Sequence, residues 1–234
     1  MEICGLQKMT LLDFPGRVAC TVFLGGCNYR CPFCHNAELL DAHAEPVLSE
    51  AEFLAFLKKR VGLLDGVCVS GGEPTCAAGL KEFLQAIKAM GYAIKLDTNG
   101  SRPAVLKELV QAGLVDYVAM DIKNAPSRYG ETVGMAKVDL TAIEESAAFL
   151  MGGAVASEFR TTVVLPLHDE AAITEMGRWL HNIVGEKPVK KLFLQPFVDR
   201  PTVVYTGLQS PNLEQMGQFA ELLLPFVLEV SVRG

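Results

Sequence analysis

The chain has 234 residues, 50% apolar and 21% charged, with a formal net charge of −6. This length predicts a single domain, residues 1–234, with a core large enough to stand alone. The acidic balance and the lack of a dense Lys/Arg run argue against a nucleic-acid binder, and no apolar run reaches the ~20 residues that cross a bilayer.

Glu2, Lys8, Asp13 and Arg17 interrupt the first 19 residues, so they do not read as a secretory signal. A cytoplasmic location is expected, and the seven cysteines are expected to be reduced there. Residues 18–24 predict a strand, followed by a cysteine-rich loop. Ser49 and Glu52 form a capping box for a helix to residue 60, where Lys58-Lys59-Arg60 suits the helix dipole. Residues 67–70 predict a short buried strand, and 80–90 a helix stopped by Gly91. A strand at 93–98 precedes a helix at 103–112 that opens on Pro103. After a strand at 117–122, Thr141 and Glu144 suggest the cap of a helix ending before Gly152-Gly153. The rest reads as strand 159–165, helix 171–184, strand 191–195, helix 213–224 and strand 227–232.

Six βα units in a row predict a parallel sheet with right-handed crossovers. An open or partial barrel fits this better than a flat doubly wound sheet. In such folds ligands bind at the C-terminal ends of the strands. There the sequence places the cysteine loop, Gly71-Gly72-Glu73-Pro74, Asp97-Thr98-Asn99-Gly100, Asp121-Ile122-Lys123 and Gln195, with Arg160 inside the fifth strand.

The cysteine loop reads Gly26-Cys27-Asn28-Tyr29-Arg30-Cys31-Pro32-Phe33-Cys34-His35-Asn36. Three thiolates at spacings of four and three can wrap one [4Fe–4S] cubane, which normally takes four cysteines. The missing fourth would leave one iron open to a small molecule, as catalytic metal sites do. Two other chemistries match parts of the text. Cys31-Pro32-Phe33-Cys34-His35 has the form of a c-type haem attachment, which leaves Cys27 unused. Three cysteines with His35 also suit a structural zinc. Elsewhere, Cys68 lies mid-strand and reads as a small core residue, and Cys76 as a packing residue. Cys4 and Cys20 belong to no motif, and His43, His168 and His181 read as surface or satisfied positions. Glu73 either caps a turn or binds an amine, and its place on the rim favours the amine. Asp121 and Lys123 flank Ile122 and so share a face, as an ion pair or as partners of a charged ligand.

These residues resemble the radical S-adenosylmethionine (SAM) superfamily, whose signature is a Cys-x3-Cys-x2-Cys loop after the first barrel strand. Phe33 matches the aromatic residue before the last cysteine. Gly71-Gly72-Glu73-Pro74 resembles the segment that receives the amino group of SAM. Leu11-Leu12-Asp13-Phe14-Pro15-Gly16, Leu96-Asp97-Thr98-Asn99-Gly100 and Met120-Asp121-Ile122-Lys123 resemble the activating enzymes of glycyl-radical enzymes. The likeness is strongest to the short activators of anaerobic ribonucleoside-triphosphate reductase, over about residues 3–200.

The resemblance implies a partial (β/α)6 TIM-like barrel, one [4Fe–4S] cluster on Cys27, Cys31 and Cys34, and SAM beside it. Phe33, His35, Gly71, Gly72, Glu73 and Asn99 would border SAM, and Lys123 and Arg160 would contact it. Asp97 and Asp121 would line a polar SAM site where relatives place a monovalent cation. The implied partners are a flavodoxin or ferredoxin electron donor and a glycyl-radical enzyme, foremost an anaerobic ribonucleotide reductase, with pyruvate formate-lyase second. Two features depart from relatives. Val198 stands where pyruvate formate-lyase activators carry a SAM-contacting His, which Gln195 would replace. Residues 37–48 contain no cysteine, so no extra cluster is expected there.

Overall fold

The computed structural model describes residues 1–183, 189–203 and 205–233. The elements run β1 (Glu2–Thr10), β2 (Ala19–Leu24), β3 (Leu48–Ser49), α1 (Glu50–Lys58), β4 (Gly66–Gly71), α2 (Leu80–Lys88), β5 (Ala93–Thr98) and α3 (Pro103–Gln111). They continue as β6 (Tyr117–Asp121), α4 (Tyr129–Thr132), α5 (Leu140–Met151), β7 (Ala156–Val163), α6 (Glu170–Ile183), β8 (Val189–Pro196), α7 (Leu213–Leu223) and β9 (Val227–Val232). The strands form one sheet in the order β3-β1-β2-β4-β5-β6-β7-β8-β9. Neighbours from β2 through β9 are all parallel, while β1 runs antiparallel to β2 and to β3. This is the expected α/β fold.

The sheet is rolled. Laid flat, β2 and β8 would lie five spacings, about 24 Å, apart. Instead His35, in the loop after β2, has its Nε2 2.8 Å from the carbonyl oxygen of Val198, just past β8. Phe33 of the same loop joins Val164, Leu167 and Phe197 in one apolar cluster. The C-terminal ends of the six strands β2 and β4 through β8 therefore face a shared interior, as in a partial TIM-like barrel left open at β9.

Strand β1 was not expected. Its residues lack strict alternation, and its pairing with β2 shifts register twice, near Ile3–Gly5 and between Gln7 and Thr10. The segment after it closes the other end of the barrel. Phe14 is only 2% exposed, lies 6.1 Å from the Tyr117 ring, and carries the Arg17 guanidinium 5.3 Å above it. A Cβ on Gly66 would meet the Phe14 ring at 2.9 Å. The Leu11–Gly16 motif thus plugs the barrel floor, far from the rim.

Two boundaries differ from expectation. Strand β7 spans Ala156–Val163, while Leu165 turns away to bridge Gln209. The cap of α5 is Asp139, whose Oδ1 accepts from the Ala142 amide at 3.2 Å. Glu144, expected in a capping box with Thr141, instead accepts from Trp179 Nε1 at 2.7 Å. The last residue expected in the 171–184 helix, Val184, lies outside the described residues. Replacing Asp139 with Ala should lower unfolding free energy by about 1 kcal/mol. Thr141→Ala should leave it nearly unchanged in the same urea titration.

Candidate functional site

The cysteine loop starts where β2 meets β4 at close quarters. The Gly72 amide donates to the Leu24 carbonyl at 2.9 Å, and the Glu73 amide to that of Gly26 at 2.7 Å. A Cβ on Gly71 would fall 2.3 Å from the Leu24 oxygen, and one on Gly72 2.2 Å from the Gly26 oxygen. No side chain fits there, which is the physical reason for the glycine pair. The loop is pinned on its other sides too. Asn36 Nδ2 donates to the Gly71 carbonyl at 3.2 Å. Asn28 accepts from Asn99 Nδ2 and donates to Ser101 Oγ, both at 2.9 Å. The Arg30 amide donates to the Val133 carbonyl at 2.8 Å, beside Gly134, whose Cβ would meet the Arg30 oxygen at 2.2 Å.

Held this way, Cys27, Cys31 and Cys34 line one cavity, together with Gly71, Gly72, Glu73, Asp97, Asn99, Asp121, Lys123 and Arg160. Phe33 and His35 are in its wall as well. The structure thus brings together every residue expected at the site. Burial pushes the Cys27 thiol up to about 12 and raises Cys31 and Cys34, against a downward pull from nearby Lys123. Such thiols stay protonated until a metal supplies the missing positive charge. Among the described residues, no three His, Cys, Asp or Glu side chains converge on a single ion. His35 stacks on Phe197 and turns Nε2 to the Val198 carbonyl. Cys76 faces the outer side of the loop, where its Sγ meets Arg102 Nε at 3.2 Å and Asn28 Oδ1 at 3.7 Å.

The inner wall of the cavity is a ladder of ion pairs across three strands. Asp121 accepts from Arg160 Nε through Oδ1 and from Lys123 Nζ through Oδ2, both at 2.9 Å. Asp97 Oδ2 accepts from Ser70 Oγ at 3.0 Å. Asp97 Oδ1 pairs with Lys95 and lies 3.5 Å from Arg160 Nη1. Burial alone would raise Asp121, but Arg160 and Lys123 outweigh it and hold the carboxyl at about 2. Asp121, joined by Asp97 at Arg160, reverses the downward pressure of burial on Lys123 and Arg160, whose pKa values are raised.

Glu73 lines the cavity and caps the turn at Pro74–Cys76. It is 2% exposed, and burial raises its pKa against its hydrogen bonds. Its Oε1 accepts from the Thr75 amide at 3.1 Å and Thr98 Oγ1 at 2.8 Å, and its Oε2 from the Asn99 amide at 2.6 Å. The carboxylate is a strut between the β4 and β5 loops. Lys95, Ser70, Asn28 and His168 were not singled out for the site. Lys95 left a readable trace, a lysine two residues before Asp97 in an otherwise apolar strand. His168 is fully buried, accepts from the Val164 amide at 3.1 Å and places Nε2 2.8 Å from the Lys123 carbonyl.

The depressed Asp121 carboxyl predicts an acid limb. Its stabilising contribution is complete above the ordinary carboxylate range near ~4 and is lost as pH falls toward its folded value of about 2. Asp121→Asn should be less stable at neutral pH and should lose less stability than the parent on acidification. Parallel acid limbs in urea titrations of the two proteins would count against this ladder.

Comparison with known proteins agrees with the geometry. The radical SAM superfamily model matches residues 21–170. A Methanocaldococcus jannaschii protein named as a glycyl-radical enzyme activating enzyme is 34% identical over 137 residues, 56% of this chain and 54% of that protein. The pyruvate formate-lyase-activating enzyme of Clostridium pasteurianum is 31% identical over 128 residues, 53% of this chain and 52% of that enzyme. The chain thus spans about half the length of these curated relatives. A radical SAM methyltransferase from Sphaerobacter thermophilus shares the fold, with a TM-score of 0.73 at 15% identity over 96% of this chain and 68% of that one. The family match begins inside β2 and runs through the cysteine loop and the ladder to the start of α6. On that span and that arrangement, the chain belongs to the radical SAM superfamily.

Proposed function

We propose that this chain is a cytoplasmic activating enzyme that generates a glycyl radical on an anaerobic ribonucleoside-triphosphate reductase. In this reading Cys27, Cys31 and Cys34 hold one [4Fe–4S] cluster whose fourth iron takes SAM. The observation that carries it is the cavity itself, in which three cysteine thiols face a buried ladder of paired aspartate, lysine and arginine side chains. That donor set fits a cubane with one open iron. Bound there, the cluster and SAM supply reductive cleavage of the sulfonium to methionine and a 5′-deoxyadenosyl radical, with a flavodoxin or ferredoxin as the electron source.

The chain's own residues bind and exclude. Lys123 and Arg160 direct positive charge into the cavity toward the carboxylate of SAM. The Gly71-Gly72 segment narrows one wall to bare backbone. Phe33, packed with Phe197, Val164 and Leu167, keeps water from the flank of Cys31. Gln195 borders the cavity while Val198 gives only its carbonyl to His35, which supports Gln195 in the place of the histidine found in pyruvate formate-lyase activators. Glu73, Asp97 and Asp121 are each held by hydrogen bonds or ion pairs, so none of these carboxylates is free as a general base. That suits abstraction of a Cα hydrogen from a glycine, carried into the open barrel on a mobile loop of the partner. The named relatives, one a glycyl-radical enzyme activating enzyme and one a pyruvate formate-lyase activator, support the reaction class.

Anaerobically reconstituted protein should bind about four irons. Cys27→Ala, Cys31→Ala and Cys34→Ala should each abolish the brown absorbance, and Cys68→Ala should keep it. Stoichiometric zinc in place of iron would defeat the cluster assignment. Reduced protein, SAM and an anaerobic ribonucleotide reductase should then give a doublet glycyl signal by electron paramagnetic resonance. A signal with pyruvate formate-lyase alone would move the partner. SAM cleavage with no glycyl signal from either would favour a small-molecule substrate.

A further inference from the structure

The resemblance places a monovalent cation between Asp97 and Asp121, where it would screen the SAM carboxylate. A cation of that kind needs carboxylate oxygens with room for it. Here all four oxygens already have donors. Asp121 accepts from Arg160 and Lys123 at 2.9 Å each. Asp97 accepts from Ser70 at 3.0 Å through one oxygen and meets the Lys95 ammonium and Arg160 through the other. A free alkali ion would sit among three cationic side chains, and this donor set does not fit it.

Lys95 is the unusual member of the set. It is 1% exposed, in a strand whose neighbours Ile94 and Leu96 are fully buried and apolar. Lysine and aspartate two residues apart on a strand share a face, so the ammonium lies one layer beneath the cavity floor, against Asp97. Its other polar neighbour is Cys68 Sγ at 3.7 Å. It does not line the cavity and acts through Asp97. We propose that Lys95 supplies, as a tethered ammonium, the positive charge a free monovalent cation would otherwise bring, so that SAM binding is independent of alkali ions. The proposal rests on the reading of this cavity as the SAM site.

The charge count supports it. Within the ladder, Lys95, Arg160 and Lys123 oppose Asp97 and Asp121 with one positive charge in excess, while the buried Glu73 carboxyl has separate donors in Thr75, Thr98 and Asn99; an arriving carboxylate brings the ladder to neutrality. Without Lys95 the set is neutral, and the same carboxylate leaves an uncompensated buried negative charge, which is costly. An alkali ion is the smallest species that restores the balance, and the Asp97 oxygen vacated by the ammonium is where it would bind.

The test is SAM affinity of the protein carrying an assembled cluster, measured by equilibrium dialysis in choline, sodium and potassium chloride at one ionic strength. The parent protein should bind within about twofold in all three, since screening is held constant. Lys95→Met should bind about tenfold or more weakly in choline and recover in potassium or sodium. A parent protein that tightens about tenfold on exchange of choline for either alkali ion would overturn the proposal. So would a folded Lys95→Met that matches the parent in choline, or one whose loss neither ion repairs. If Lys95→Met does not fold, the parent series decides alone. A parent protein with an intact cluster that binds SAM in none of the salts would overturn the SAM-site reading itself, and this proposal with it.

Discussion

Buried ion pairing at the C-terminal ends of β5, β6 and β7 is the constraint on which the rest of the site depends. Charges taken out of water are costly unless each is paired and hydrogen-bonded. Asp97 and Asp121 meet that condition only because three adjacent parallel strands put Lys95, Arg160 and Lys123 in register with them. Asp121 pairs with Arg160 across the β6–β7 ladder, while Lys95 and Lys123 sit two residues from their own aspartates. A slip of one residue in β6 would turn Asp121 and Lys123 to the other face and leave Arg160 without its closest partner. The ladder therefore holds register as well as charge.

The second constraint is backbone packing against backbone. Gly71 and Gly72 let β4 press on Leu24 and Gly26, and Gly134 lets the segment after α4 press on Arg30. These contacts leave the cysteine loop few alternatives before any metal arrives. The three thiols are then held protonated by burial, with Lys123 opposing that effect. A site of this kind is preorganised in shape and waits on a metal for its charge state.

Much of this was legible in the sequence, because the chemistry sits in short motifs at the ends of strands that punctuation residues reveal. The cysteine loop, Gly71–Gly72, Asp97, Asp121, Lys123 and Arg160 fall in one cavity because six βα units can bring them nowhere else. What stayed hidden depends on contacts distant in sequence. Strand β1 is bulged and half exposed, so its pattern has no period of two. The α5 cap competes locally between Asp139 and Thr141, and the pull of Trp179 on Glu144 decides it from another helix. Glu73 could cap a turn or bind an amine in sequence, and only the fold shows that its carboxylate also ties the β4 loop to Thr98 and Asn99 of the β5 loop. The Leu11–Gly16 motif carries part of the family resemblance, and only the fold shows that its Phe14 packs at the end of the barrel opposite the cysteine loop.

Those hidden contacts also explain why the cavity is rich in titratable groups and poor in free ones. His168 takes the Val164 amide on Nδ1, which assigns its proton to Nε2, facing the Lys123 carbonyl. Burial lowers its pKa, so it stays a neutral staple between the β6 and β7 ends. Asn124 adds a second staple to the Leu167 carbonyl at 2.8 Å. The Lys123 ammonium is thus aimed by a backbone fixed from behind. Asp97, Asp121 and Glu73 are each committed to partners of their own. Acid–base catalysis needs a group that can exchange its proton near neutral pH, and carboxylates committed in this way do not supply it. What these contacts provide instead is a fixed cavity whose buried charges are paired.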